Sequence, residues 1–306
     1  MGSKSLVARR GVAAQAGSCG PSARNTDKVC FFGGLLITNH QSPICYHFRG
    51  RVLEGHMVTS PDRAEVALGN PSFVWRFGQD RRLNLIRHYA PLEAARILDI
   101  GCGLGVYVRK FREYSDRVYG IDIDAKRLRE GAKNTPNLML SASETLPFRD
   151  AAFDLVVLNE VIEHVRDDGA TLAEALRVIR PGGHIAIYAP NRLYPFETHG
   201  IYVGKKFVFG NIPLINWLPT PLRNKLVPHA RAYTKRGIRR TYGNLRVRVL
   251  TETYVYPGFD NIIARRKWLG KVLRGALYRA ENTPLRAFGL SHFVVLEKPA
   301  GAGENV

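Results

Sequence analysis

The apolar positions of this chain change their spacing along its length, and the changes mark its elements. From Gln79 to Tyr89, Leu83, Leu85, Ile86 and Tyr89 fall on or near one face of a helix. Arg96–Ile100 is a short apolar run ending in glycines, which predicts a strand, and Gly105–Tyr114 reads as a helix. Arg117–Asp122 predicts a second strand, Ala125–Ala132 a second helix and Asn137–Leu140 a third strand. Phe153–Leu158, the helix Thr171–Ile179 and, after a turn at Pro181-Gly182-Gly183, the strand His184–Tyr188 continue the series. Strands alternating with helices at this spacing predict an α/β fold, a mostly parallel sheet with helices on both faces. Two later apolar segments, Val247–Val255 and His292–Glu297, are expected to add edge strands.

Residues 1–56 are unlike the rest. They are rich in Gly, Ser, Ala and Arg, poor in acids and without a sustained period, so poor order is expected there. Arg9 and Arg10 are not followed by the apolar core of a signal peptide. An organelle transit segment and a start placed too early are the two readings, and the second is preferred because patterning begins soon after Met57. No apolar run reaches the roughly 20 residues that span a bilayer. The expected organisation is an extension (1–56), a helical cap (57–94), a cofactor-binding core (95–192) and an acceptor-side portion (193–306) completing the same domain.

Charge sharpens this division. The net charge is +19. Residues 101–190 carry 12 basic and 13 acidic side chains, whereas residues 191–306 carry 20 basic and 6 acidic ones. A positive field confined to the last third attracts nucleic acid, an anionic membrane face or an acidic substrate, unless it is merely a solvated surface. The four cysteines, Cys19, Cys30, Cys45 and Cys102, show no C-x-x-C spacing. A disulfide scaffold is therefore not expected, and a cytoplasmic location fits.

Ile97-Leu98-Asp99-Ile100-Gly101-Cys102-Gly103-Leu104-Gly105 runs from strand through turn to helix. Glycine permits the sharp turn and the close approach of a ligand. The helix N-terminus beyond offers free N–H groups to a carboxylate. Asp99 is placed to hold the loop or to bind a ligand ammonium. The spacing is G-x-G-x-G rather than the dinucleotide G-x-G-x-x-G, which disfavours a nicotinamide or flavin dinucleotide. About 20 residues on, Asp122 closes the second strand, where an acid accepts hydrogen bonds from ribose hydroxyls. Asp124 is its alternate, and the structural alternative for Asp122 is a helix cap.

With Glu144-Thr145-Leu146-Pro147-Phe148, Phe153-Asp154-Leu155-Val156, Glu160-Val161-Ile162-Glu163-His164-Val165 and Arg177–Gly183, these segments resemble the class I S-adenosylmethionine methyltransferases, in the branch that includes ubiquinone and menaquinone biosynthesis enzymes. The resemblance spans roughly residues 80–192. It implies a Rossmann-like methyltransferase fold with a seven-stranded sheet and S-adenosylmethionine as cofactor. It places Gly101, Gly103 and Gly105 along the methionine part and Asp122 at the ribose, with Cys102 and Ile123 as further cofactor-binding residues. It sets Ser141–Glu144, with Ser143 and Glu144, at the adenine, and Asn159 and Glu160 beside the sulfonium. Ala142 stands where the family commonly has an aspartate facing the adenine amine.

Methyl transfer is an in-line displacement on an already activated carbon, so positioning and, where needed, a base are what the protein supplies. His164 and Glu163 are candidates for that base, each with a structural alternative. Glu160-x-x-Glu163-His164 is not a zinc H-E-x-x-H motif, and the nine histidines show no ligand cluster, so no metal is expected. The loop Pro190–Gly200 crowds polar and aromatic residues at the carboxyl end of a strand, where α/β sheets bind ligands, which makes Tyr194, Glu197 and His199 acceptor-site candidates. Residues 201–232, with Tyr202, Phe207, Trp217, Arg223 and His229, read as a lid. Arg265–Ala280 reads as a basic amphipathic helix, either lying on an anionic membrane or docked on the protein's own sheet. The leading expectation is methylation of a small-molecule or lipid-like acceptor. An RNA methyltransferase using the basic last third and a non-catalytic cofactor-binding or assembly protein are the alternatives.

Overall fold

The computed structural model describes residues 76–300 and two short strands before them, Cys30–Phe32 (β1) and Leu35–Ile37 (β2), which pair antiparallel. This hairpin belongs to one unit, Met1–Pro43, and the elements that follow belong to a second, Ile44–Val306. The rest of the expected extension, and the cap up to residue 75, lie outside the described residues.

The second unit is built on β3 (Ile97–Ile100), β4 (Val118–Asp122), β5 (Leu138–Leu140), β6 (Phe153–Asn159), β7 (Ile179–Pro190), β12 (Arg248–Val255) and β13 (Ser291–Glu297). They form one seven-stranded sheet in the order β12-β13-β7-β6-β3-β4-β5. Only β13 runs against its neighbours. Of the two late apolar segments, β12 takes the edge as expected, but β13 lies inside the sheet between β12 and β7. The reason is burial: Phe293, Val294, Val295 and Leu296 are all fully buried, which a strand achieves only with neighbours and helices on both sides.

Alternation along each strand divides the core into two layers. On β6, Val156 and Leu158 face one cluster with Leu98 and Ile100, covered by α4 (Asp168–Val178) and α6 (Lys235–Tyr242). Leu155 and Val157 face the other, covered by α1 (Phe77–Tyr89), α2 (Val106–Phe111) and α3 (Ala125–Ala132). Caps fix where these helices begin. Asp124 accepts hydrogen bonds from the N–H groups of Lys126 and Arg127, and Asp167 from that of Ala170. The cap of α3 is thus Asp124, which leaves Asp122 for another task.

Two local expectations need correction. Pro181-Gly182-Gly183 does not precede a strand but lies within β7, where the register against β6 shifts, and the Gly182 N–H donates to the Lys298 carbonyl at 2.8 Å. The segment Arg265–Ala280 is not one helix: α7 (Asp260–Arg265) and α8 (Lys267–Ala280) meet at Arg266, which leaves helical geometry. Gly270 shows why they fold back on each other, since a Cβ there would stand 2.5 Å from Ile263 Cγ1 and 2.7 Å from its backbone nitrogen.

Between β7 and β12 the chain leaves the sheet. Short antiparallel pairs join β8 (Phe196–Glu197) to β11 (Ile212–Pro213) and β9 (Ile201–Val203) to β10 (Lys206–Val208), followed by α5 (Thr220–Leu226). A small cluster of Ile201, Val227 and Ala230 holds this insertion together.

Candidate functional site

Strands β3 and β6 are neighbours whose following segments leave in opposite directions, so a crevice opens beyond their carboxyl ends. The glycine loop lies there. Gly101, Gly103 and Gly105 all have positive φ, a backbone state that glycine adopts without strain. At Gly101 a Cβ would lie 2.4 Å from Val161 Cγ2, so the loop is packed as well as turned.

Asp122 braces this loop. Its Oδ2 accepts from the Gly103 N–H and its Oδ1 from the Asp124 N–H, both at 2.8 Å. The carboxylate is buried, and it is Asp124, not Asp122, that lines the cavity. Asp99 is also buried and does line the cavity. Burial, then the nearby Asp122 charge, push its carboxyl well above the usual range. Burial likewise raises the Cys102 thiol, which keeps it protonated and unreactive. Ile123 is 61 % exposed, an unusual state for a large apolar side chain beside a cleft. Ser143 and Glu144 are occupied elsewhere: Ser143 Oγ lies 3.0 Å from Thr171 Oγ1, and Glu144 accepts from the N–H groups of Arg166 and Asp167. None of Ser141–Glu144 lines the cavity.

The far wall is organised by a residue that periodicity alone does not single out. Arg82 of α1 donates to Asn159 Oδ1 at 2.7 Å, to Glu160 Oε1 at 2.8 Å and to Ser291 Oγ at 2.8 Å. Its guanidinium lies 4.7 Å from the centroid of the Tyr188 ring. Burial alone would raise the Glu160 carboxyl, but the Arg82 charge opposite overrides it and holds the group below its ordinary value. Glu160 itself has φ 57°, a strained state for a non-glycine residue at a strand end. Arg82, Ser291 and Tyr188 come from three separate elements, so nothing local in the sequence pairs them.

Beyond Glu160 lies a buried chain of charges. Arg223 of α5 donates to Glu197 Oε2 at 2.7 Å, and Glu197 Oε1 lies 2.9 Å from His199 Nδ1. His199 Nε2 in turn stands 3.6 Å from Glu163 Oε1, beyond hydrogen-bond reach but within strong Coulombic range. Burial would lower the His199 pKa, yet the two carboxylates raise it to about 10. Burial would raise Glu197, but His199 and Arg223 bring it down to about 2. For Glu163 burial wins, helped by the Glu160 charge, and its pKa rises to about 7. His164 falls to about 4 through burial and the neighbouring His199 charge, so its ring is neutral. Its Nδ1 lies 3.0 Å from the His229 carbonyl; a proton on Nδ1 makes that bond and leaves Nε2 as an acceptor. His164 sits in a turn after β6 rather than early in a helix, which carries it to the cavity.

Glu163, His164 and His199 offer donor atoms within 4.8 Å of one another. That juxtaposition is invisible in the histidine spacing, because His199 arrives from the insertion. Such a set suits either an internal ion-pair network or a divalent cation with imidazole and carboxylate ligands. Tyr194, the remaining candidate, lines the cavity, and burial raises its phenol to about 12.

One cavity of about 1270 Å³ takes in both halves, from Asp99, Gly101 and Gly103 to Glu160, His164 and His199. Residues 98–187 match the family model described as "Methyltransferase domain". Residues 98–187 therefore form a methyltransferase domain. Curated relatives agree. The chain is 29 % identical over 140 residues to a "Ubiquinone biosynthesis O-methyltransferase" of Albidiferax ferrireducens, covering 43 % of this chain and 55 % of that one. It is 34 % identical over 127 residues to a "Demethylmenaquinone methyltransferase" of Streptomyces avermitilis, covering 40 % and 55 %. The chain thus spans about half the length of these relatives. Among solved structures, an S-adenosylmethionine dependent methyltransferase from Mesorhizobium loti superimposes with a TM-score of 0.48 at 18 % identity, over 70 % of this chain and 96 % of that chain.

The methyltransferase domain implies S-adenosylmethionine as cofactor, and the residues present fit it. The loop from Gly101 to Leu104 borders the cavity, and Asp99 is a buried carboxyl lining it that a ligand ammonium would let ionise.

Proposed function

We propose that this protein transfers the methyl group of S-adenosylmethionine to a small-molecule or lipid-like acceptor that carries an ionisable hydroxyl. The observation that carries this reading is the single cavity joining the glycine loop to His164 and the charged cluster behind it. When bound, the cofactor supplies an electrophilic methyl on a sulfonium. Asp99 would pair with its ammonium, the Gly101–Gly105 backbone would seat its methionine end, and Asp122 would shape the ribose end through the loop it braces. Asn159 and Glu160, fixed by Arg82, would border the sulfonium.

On the acceptor side, His164 Nε2 accepts the hydroxyl proton as the oxygen becomes nucleophilic. Glu163 Oε1, 3.9 Å from that nitrogen, offsets the imidazolium charge that forms. His199, held cationic by Glu163 and Glu197, attracts the developing alkoxide or phenoxide. Phe207, Phe209, Phe196 and Tyr256 give the cavity an aromatic wall suited to an apolar acceptor body. A lipid-like acceptor taken up at a membrane surface also accounts for the positive charge of the last third.

The test is incubation of the purified chain with methyl-labelled cofactor and fractionated cell extract. Label in a lipid or small-molecule fraction supports the proposal. Label in RNA, or cofactor binding with no transfer to any fraction, overturns it.

A further inference from the structure

The exposed apolar residues of this protein are unevenly placed, and α8 carries the most exposed of them. Trp268 is 71 % exposed and Val272 62 % exposed, one helical turn apart and therefore on the same face. Leu269 and Ala276 flank that face and are exposed as well. Among the residues of α8 only Gly270 is buried. The main anchors of the helix among the described residues are α7, through Gly270 against Ile263, and α1, through Tyr278 stacked on Phe77 with ring centroids 6.5 Å apart and Arg81 over the Tyr278 ring at 4.0 Å. The contacts that anchor α8 thus leave its apolar stripe facing outward.

The exposed charges of α7 and α8 are of one sign: Arg265, Arg266, Lys267, Lys271 and Arg279 are exposed, Arg274 turns inward over the Phe77 ring, and residues 260–286 hold only two acids. Both acids are engaged away from the stripe, Asp260 with the Gly78 N–H and Glu281 with Arg81. An exposed tryptophan and valine between long basic side chains match the interface of an anionic bilayer. The indole and apolar groups enter the acyl boundary while lysine and arginine heads reach the phosphates.

A second apolar patch, of Leu193, Trp217 and Phe288, lies at the acceptor end of the molecule. Trp217 Nε1 donates to the Leu193 carbonyl, and the Trp217 and Phe288 rings lie 6.4 Å apart. Asn216, beside Trp217, lines the large cavity.

We propose that α8 is a docking surface for an anionic lipid bilayer, with Trp268 and Val272 as inserting residues and Arg265, Lys267 and Lys271 as headgroup contacts. This surface stands on exposure and charge alone and holds whatever the methyl acceptor is.

The experiment is flotation of the purified chain with phosphatidylcholine vesicles and with vesicles of equal parts phosphatidylcholine and phosphatidylglycerol. The wild-type chain should float with the anionic vesicles and stay behind with the neutral ones. The double variant W268S/V272S should lose about ten-fold or more in partitioning, and so should R265E/K271E. Both replace exposed side chains, and an unchanged S-adenosylmethionine affinity by calorimetry confirms that each variant is folded. Equal flotation of wild type and variants overturns the inference. So does a wild-type chain that ignores both vesicles, whether it binds a mixed-sequence RNA through the same lysines and arginines or forms a dimer that W268S/V272S abolishes.

Discussion

Arg223 and Glu197 form an ion pair at 2.7 Å with side chains only 2 % and 1 % exposed. The pair ties α5 to β8, and Arg223 also donates to the Ala230 carbonyl. A buried pair contributes little net stability over an apolar substitute, but removing one partner strands the other. Arg223→Met should therefore destabilise the protein by about 3–5 kcal/mol, read as a lowered urea midpoint. Arg223→Met with Glu197→Gln should recover part of that loss. A single variant as stable as wild type would show that the pair does not organise the insertion.

Gly101 has φ +70°, and the space its Cβ would need is filled by Val161. Gly101→Ala therefore incurs both backbone strain and overpacking. Together these should cost about 2–4 kcal/mol and weaken cofactor binding, because the loop must shift. Adding Val161→Ala opens the space but leaves the φ strain, so affinity by calorimetry should return only in part. Full recovery would mean that φ at this position carries no cost.

The parallel sheet was legible in the sequence because each of its strands is a short apolar run bounded by polar or glycine punctuation. The glycine turn was legible for the same reason: Gly101–Gly105 and Asp122 sit at strand ends and are set by local spacing. What escaped was non-local. Arg82 looks like one of three solvent arginines on α1 until Asn159 and Glu160 at the end of β6 and Ser291 of β13 converge on it. His199 meets Glu163 only because the insertion folds back over the turn after β6. Ser143 and Glu144, drawn toward the adenine by family pattern, are claimed instead by Thr171 and by the backbone entering α4.

Asp122 bonds two backbone N–H groups that shape the cofactor loop. Asp122→Asn keeps one acceptor oxygen but turns a donor toward an N–H. Asp122→Ala removes both acceptors. S-adenosylmethionine affinity should fall about ten-fold or more for Asn and further for Ala. Asp99→Asn should weaken binding more than it weakens binding of an analogue lacking the amino group. Equal losses for the two ligands would remove Asp99 from the ammonium contact.

His164 is neutral and has its Nδ1 beside the His229 carbonyl. His164→Asn can keep that donor bond through its amide while removing the basic Nε2. Methyl transfer to the labelled acceptor fraction should drop about 10²-fold or more, with cofactor affinity unchanged. Activity within a few-fold of wild type would assign His164 to structure.

His199 couples pH to stability through two buried carboxylates. Its pKa in the fold is about 10, against about 6.5 for a free imidazole. The folded state binds this proton more tightly, so the associated stability is complete below about pH 6.5. It is lost as pH rises through about 10. Glu163 adds a loss in the same direction. Its folded pKa of about 7 exceeds the unfolded value near 4.3, so its favourable share fades as pH climbs through 7. Thermal unfolding with a chelator present, so that no metal ion competes with the imidazolium, should give a melting temperature that falls steadily from neutral to alkaline pH. In His199→Asn the alkaline part of that fall should flatten. A variant whose melting curve tracks wild type across the whole range would show that His199 is not held as a cation between Glu163 and Glu197.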